Sequence, residues 1–144
     1  MPTETAEPNA WEAALIEDLR ANGGSPSQGP LAGHPLLLLF STGARSGTRR
    51  RCILTYSRDG DDLIVAGTAG GSKVDPAWIA NVRTTPDVEV EVASEVFPAV
   101  ATVHADGPER DRLWRQHVAQ LPWFADYPGQ VGARTIPMVR LRHA

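Results

Sequence analysis

The stretch Ser41-Thr42-Gly43-Ala44-Arg45-Ser46-Gly47-Thr48-Arg49-Arg50-Arg51 puts four arginines among glycines and hydroxyls. Guanidinium groups are forked donors that match phosphate or carboxylate oxygens. Gly43 and Gly47 let the backbone turn sharply and approach a ligand, and Thr42, Ser46 and Thr48 add hydroxyl donors. A charge-assisted hydrogen bond contributes about 1.5–3 kcal/mol, so two or three would hold a phosphorylated tail. The alternative is a solvated basic turn. A second segment, Gly67-Thr68-Ala69-Gly70-Gly71-Ser72, is built of small residues. It leaves room for a flat ring against the backbone, with amide groups for ring carbonyls; it reads equally as an ordinary loop. In a third, Leu121 to Pro128, Phe124 and Tyr127 are candidate walls of an aromatic substrate pocket, or else a satellite hydrophobic cluster.

Several chemistries lack their motifs. Ser46 is not in a G-x-S-x-G elbow. The loop lacks the Lys-Ser/Thr ending of a P-loop, and no G-x-G-x-x-G follows a strand. His34, His104, His117 and His143 have no partners at metal-ligand spacing, so no metal is expected.

The elements that must position these segments follow from periodicity. Residues 10–22 space Trp11, Leu15, Ile16 and Leu19 as an amphipathic helix, with Asn9 as N-cap and Asn22-Gly23-Gly24 as stop. Strands are expected over 35–42, 50–57 and 62–67, the last two joined by an Arg58-Asp59-Gly60-Asp61 hairpin turn. Asp75 is the expected cap of a helix with Pro76 at its first position and Trp78, Ile79 and Val82 inward, stopping near Thr85-Pro86. Strands 87–92 and 95–105 flank a tight turn at Ala93-Ser94. A third helix from Asp106 carries Leu113, Trp114, His117, Val118 and Leu121 on one side. After an aromatic loop, Ile136 to Arg142 is the last strand. About six antiparallel strands with three helices, a mainly β (α+β) chain, close most economically into a small barrel. A flexible tail over 1–9 and a single domain over 10–144 are expected.

Composition narrows the partners. The chain has 144 residues, 42% hydrophobic and 22% charged, with a net charge of -3. That balance argues against nucleic acid, while the local arginine cluster suits a small anion. Cys52 is the single cysteine, so no intrachain disulfide forms. The start lacks a signal-peptide pattern, and the longest apolar run, Leu36 to Phe40, is too short for a membrane span. A cytoplasmic protein is expected. Glu12, Glu17 and Asp18 on the first helix would be repelled by anionic lipid, leaving only peripheral contact open. Monomer and homodimer both remain open.

Taken in order, these segments resemble the deazaflavin-dependent nitroreductase family, also called the F420-dependent quinone reductases. The resemblance runs from about Asn9 to Leu141. It is carried by Arg20-Ala21-Asn22-Gly23-Gly24, Pro35 to Leu39, Thr42-Gly43, Arg45-Ser46-Gly47, Arg50, Gly70-Gly71, Pro76-Ala77-Trp78, Asn81, Pro86-Asp87-Val88, Ala125-Asp126-Tyr127 and Ile136-Pro137. It implies a split β-barrel of the FMN-binding type that holds coenzyme F420, a deazaflavin with a phosphate and an oligoglutamate tail. Hydride would pass between the ring and an electron-poor small molecule: a quinone, an activated double bond or a nitroaromatic. The implied cofactor-binding residues are Thr42, Gly43, Arg45, Ser46, Gly47, Arg49, Arg50 and Arg51 on the tail side. Gly67, Thr68, Ala69, Gly70, Gly71 and Trp78 serve the ring side. Leu121, Phe124 and Tyr127 fall at the acceptor, and Tyr127 and Tyr56 are the candidate catalytic proton donors. The chain departs from many members at Ala44, Thr48, Ala69 and Asp75, where basic residues are common, and keeps only Tyr127 of three substrate-side tyrosines. The alternatives are an FMN oxidoreductase on the same barrel and a non-catalytic deazaflavin or lipid carrier.

Overall fold

The computed structural model describes residues 9–29 and 31–144. The tail expected over 1–9 lies outside them except for Asn9, whose Oδ1 accepts from the Glu12 N–H at 2.8 Å and caps helix α1 (Ala10–Ala21). Strands β1 (Leu36–Thr42), β2 (Arg49–Thr55), β3 (Ser57–Asp59), β4 (Asp62–Ala66), β5 (Asp87–Val92), β6 (Glu95–His104) and β7 (Met138–His143) form one antiparallel sheet. Its order is β2-β1-β5-β6-β7-β4-β3.

That order dictates the shape. β2 and β3 are the two outermost strands of seven, yet Tyr56 alone separates them in the chain. In a flat sheet they would lie roughly 28 Å apart, at about 4.7 Å per spacing. A single intervening residue spans no more than about 7 Å. The sheet therefore curls until its edges meet at Tyr56, which makes a split barrel. The run expected as one strand over 50–57 breaks there: residues to Thr55 pair with β1, and residues from Ser57 pair with β4. Seven strands replace the expected six because periodicity does not register a change of partner.

Alternation along β1 sorts the leucines. Leu37 and Leu39 point into the barrel, against Val65, Val90 and Val139 and against Trp78, Ile79 and Val82 of helix α2 (Ala77–Thr84), which plugs the interior. Leu36 and Leu38 point outward beneath Ile16 and Leu19 of α1. Both faces of β1 are covered, so its first five residues, Leu36 to Phe40, are continuously apolar. At the other end of the sheet, helix α3 (Gly107–Gln120) and a 3-10 segment (Pro122–Gly129) cover Ile64, Ala66 and Met138 with Leu113, Leu121 and Phe124. The Gln120 side chain also accepts from the Arg58 N–H and donates to the Arg58 carbonyl, both at 2.8 Å, along the outer edge of β3.

Four local expectations change. Pro76, not Asp75, occupies the N-cap of α2, because the Asp75 carboxylate meets Arg134 at 2.9 Å instead. The aromatic stretch after α3 is helical rather than a loop. β7 starts at Met138, with Ile136 buried just before it. Trp11 sits on the helix face turned away from the barrel and is 65% exposed.

His117 on α3 is fully buried, its Nδ1 2.6 Å from the Ser57 hydroxyl. Burial pushes its pKa down to about 4, from an ordinary value of 6.5. The folded state thus disfavours the charged ring, so this contribution is complete above pH 6.5 and drains away as pH falls toward 4. Between pH 7 and pH 5 the loss is about 2 kcal/mol. Thermal melts of His117→Gln across that window should slope less steeply than wild type; parallel slopes would show that His117 does not drive the loss.

Candidate functional site

β1 and β4 run in the same direction, so the loop after β1 and the segment after β4 leave the same end of the barrel. A groove of about 500 Å³ opens beside the first of these, and none of residues 67–72 lines it. The 43–46 loop forms one wall, Ala77, Trp78, Ala80 and Asn81 of α2 the other, and Arg50, Arg51 and Cys52 of β2 line it as well. The loop is held by its own backbone: the Gly43 N–H donates to the Thr48 carbonyl at 2.7 Å, and the Gly47 N–H to the Gly43 carbonyl at 2.9 Å. The Ser46 and Thr48 hydroxyls bond each other at 2.6 Å. A methyl group on Gly43 would lie 2.5 Å from the Ser46 oxygen, so a side chain there would force that hydroxyl to rotate away from Thr48. Across the groove the Asn81 side-chain oxygen accepts from the Ala44 N–H at 2.9 Å and ties the loop to α2.

The four arginines are not equivalent. Arg49 is ion-paired with Glu89 and lies 4.2 Å from the centre of the Phe40 ring. Arg51 lies 3.6 Å from the Glu12 carboxylate and is only 10% exposed. These two guanidinium groups tie the sheet to itself and to α1. Arg45 is exposed and makes no hydrogen bond or ion pair among the described residues. Arg50 is exposed with only a long 3.4 Å contact to the Ser46 hydroxyl. Arg45 and Arg50, both on the groove, are therefore the cations available to an incoming anion. Cys52 beside them is no nucleophile, since burial pushes its thiol up to about 11 and keeps it protonated.

Gly67, just after β4, packs closely against Pro137 and α2: an added methyl would lie 2.8 Å from Pro137 and 3.0 Å from Ile79. The segment that follows is organised by Arg134, a residue the sequence reading passed over. Its guanidinium is 12% exposed and reaches the carbonyls of Gly67 (2.9 Å), Thr68 (2.8 Å) and Ser72 (2.9 Å), besides Asp75. A signal was present: Gln130 to Pro137 contains this one arginine and no carboxylate, so its partners had to come from elsewhere in the chain.

The other candidates lie apart. Trp78 is 5% exposed and joins the core to the groove. Tyr56 is half-buried against the interior core, with Arg58 5.4 Å from its ring centre. Tyr127 is half-buried on the outer face, 5.2 Å from Phe124. Leu121 and Phe124 are buried among Leu113, Val131 and Met138. Neither tyrosine lines the groove. Among the described residues no group of three His, Cys, Asp or Glu side chains could hold a metal ion, and no helix is long and apolar enough to cross a membrane.

Known proteins are similar to this chain in sequence and fold. F420H(2)-dependent quinone reductase Rv1261c of Mycobacterium tuberculosis H37Rv is 39% identical over 82 residues, which cover 56% of this chain and 55% of that protein. The chain thus spans about half the length of the curated relatives it matches. The solved F420-H2 dependent reductase FDR-A is 29% identical with a TM-score of 0.67, covering 75% of this chain and 94% of its own. A structure described as a domain-swapped dimer is 26% identical with a TM-score of 0.68, covering 94% of this chain and all of its own. The sequence model of one family, the F420H(2)-dependent quinone reductases, matches residues 14–143. That match runs from within α1 to the end of β7 and takes in the groove and its arginines, so this chain belongs to the F420H(2)-dependent quinone reductase family.

Proposed function

We propose that the protein is an oxidoreductase that binds coenzyme F420 and passes hydride between the deazaflavin and an electron-poor small molecule, a quinone first among them. The observation that carries the reading is the pair of uncommitted guanidinium groups, Arg45 and Arg50, on a groove walled by Trp78. The residues fit an anionic tail at one side of the barrel end and, at the Gly67–Ser72 segment, a polar ring edge. Bound F420 would supply the hydride.

The chain's own groups do the rest. Arg45 and Arg50 take the phosphate and acidic tail, Asn81 fixes the loop that carries Arg45, and the α2 wall keeps water from one side of the groove. No protein nucleophile is needed, and Cys52 stays a thiol. Tyr127, at the half-exposed edge of the Leu121–Phe124–Tyr127 cluster, is the first candidate to orient or protonate the acceptor, and Tyr56 the second. A homodimer is the alternative to a monomer, and light scattering decides between them.

Titration with F420 and, separately, with FMN, following ligand fluorescence, tests the reading. F420 should bind well and FMN more weakly, since FMN has no acidic tail for the second arginine. Preference for FMN, or binding of neither, would overturn it.

A further inference from the structure

We propose that Gln130 is the side chain that holds the acceptor's oxygen, donating its amide N–H to the atom that turns negative as hydride arrives. This rests on the F420 reading and names a residue for its acceptor side.

Leu121, Phe124 and Tyr127 are spaced three apart, and their row has one further member. The segment Pro122–Gly129 is 3-10 helical. With roughly three residues per turn, side chains three apart stack in line. The Gln130 N–H donates to the Tyr127 carbonyl at 2.8 Å, which carries the same period on to Gln130. Exposure rises along the row: Leu121 and Phe124 are buried, Tyr127 is half-buried and Gln130 is exposed. A molecule arriving from solvent therefore meets Tyr127 and Gln130, not the first two.

Gln130 is also where this row reaches the segment after β4. Its side chain lies over Gly71: an added methyl there would fall on Oε1, 3.1 Å from the glutamine Cβ and 3.2 Å from Cδ. Other residues already hold the two segments together. Arg134 takes three carbonyls of the 67–72 turn, and Gly132 faces the stem of Lys73. The Gln130 carboxamide adds no polar contact to that brace, since neither of its atoms is hydrogen-bonded among the described residues. Gln116 and Gln120, earlier in the chain, both spend theirs on the Arg58 carbonyl. Gln130 is thus an uncommitted donor, beside Tyr127 and against the turn that follows β4.

The chemistry suits a neutral donor. Hydride delivered to a quinone brings two electrons and leaves one oxygen as a phenolate. A proton from solvent then completes the hydroquinone, and the deazaflavin is left oxidised by the same two electrons. An amide N–H bonds weakly to the carbonyl and more strongly to the phenolate, so its effect grows as charge develops.

Gln130→Leu keeps the bulk of the side chain and removes the donor. With menadione as acceptor, kcat/KM should fall about tenfold or more, the size of one hydrogen bond to a charged oxygen. Gln130→Glu, which offers only acceptor oxygens, should lose at least as much. F420 affinity should stay at the wild-type value in both. A second readout needs no turnover. Protein carrying oxidised F420 cannot reduce menadione, so the quinone can be titrated there by NMR. It should shift the Gln130 side-chain amide resonances, assigned by their absence in Gln130→Leu. Unmoved resonances, or wild-type kcat/KM in Gln130→Leu, would overturn the proposal. A parallel loss of F420 affinity in Gln130→Leu would place the carboxamide on the cofactor and overturn it too. Wild-type protein that binds no F420 removes the F420 reading and this inference together, whereas normal F420 binding beside an unaffected Gln130→Leu removes this inference alone.

Discussion

Arg45→Ala/Arg50→Ala should bind F420 two to four orders of magnitude more weakly than wild type while melting within a few degrees of it. Each charge-assisted contact to a phosphate or carboxylate oxygen contributes about 1.5–3 kcal/mol, and two of them convert to that range of dissociation constants. Stability should hold because both side chains are exposed and neither is paired with a carboxylate among the described residues. The contrast is within the same run of sequence. Arg49→Ala removes a partner of Glu89 and a cation over Phe40, so it should act on folding and leave the F420 affinity nearly unchanged. Fluorescence titration of the double variant beside Arg49→Ala reads both outcomes. A loss below about fivefold in the double variant would assign the tail to other residues.

Arg20→Ala should cost about 3 kcal/mol of folding stability and leave ligand affinity alone. Glu91 on β5 is 5% exposed, and both of its oxygens are held by Arg20, at 2.8 and 2.9 Å. Removing one partner of a buried pair strands the other charge, at a cost of roughly 3–5 kcal/mol. Arg20 is itself half exposed, which puts the effect at the lower end. Arg20→Ala/Glu91→Gln should recover a large part of the loss, since no charge is then stranded. Urea denaturation of the two single variants and the double variant gives the coupling. A double variant no more stable than Arg20→Ala would place the cost in lost packing of the arginine stem rather than in the carboxylate.

These expectations also mark what the sequence made legible. Local chemistry was readable. Asn9 caps α1 as expected, Trp78, Ile79 and Val82 face inward, and the Ala93-Ser94 turn joins β5 to β6. What stayed hidden depends on partners far along the chain. Arg49 and Arg51 look like Arg45 and Arg50 in the sequence, and only folding brings Glu89 and Glu12 to the first two. Asp75 before Pro76 has the form of a cap, but Arg134, nearly sixty residues on, takes its carboxylate. The aromatic run has apolar spacing suited to a pocket wall, yet α3 and β7 supply enough apolar surface to bury Leu121 and Phe124. The break at Tyr56 leaves no mark in composition, because both halves of the run have ordinary strand sequences and differ only in what they pair with.

The meeting of the two edge strands at Tyr56 bears on how this protein survives at high concentration. An open sheet exposes two rows of unpaired backbone groups, and each row is a template on which another extended chain can build. Curling brings the ends of β2 and β3 into one continuous run, and β3 itself is only three residues long. The shorter edge carries a further guard: with its N–H and its carbonyl both engaged by Gln120, Arg58 has little left to offer an invading strand. The glutamine imitates a neighbouring strand without supplying one that could propagate. A side chain on α3, far from the arginine loop in sequence, thereby protects the barrel against self-association through its seam.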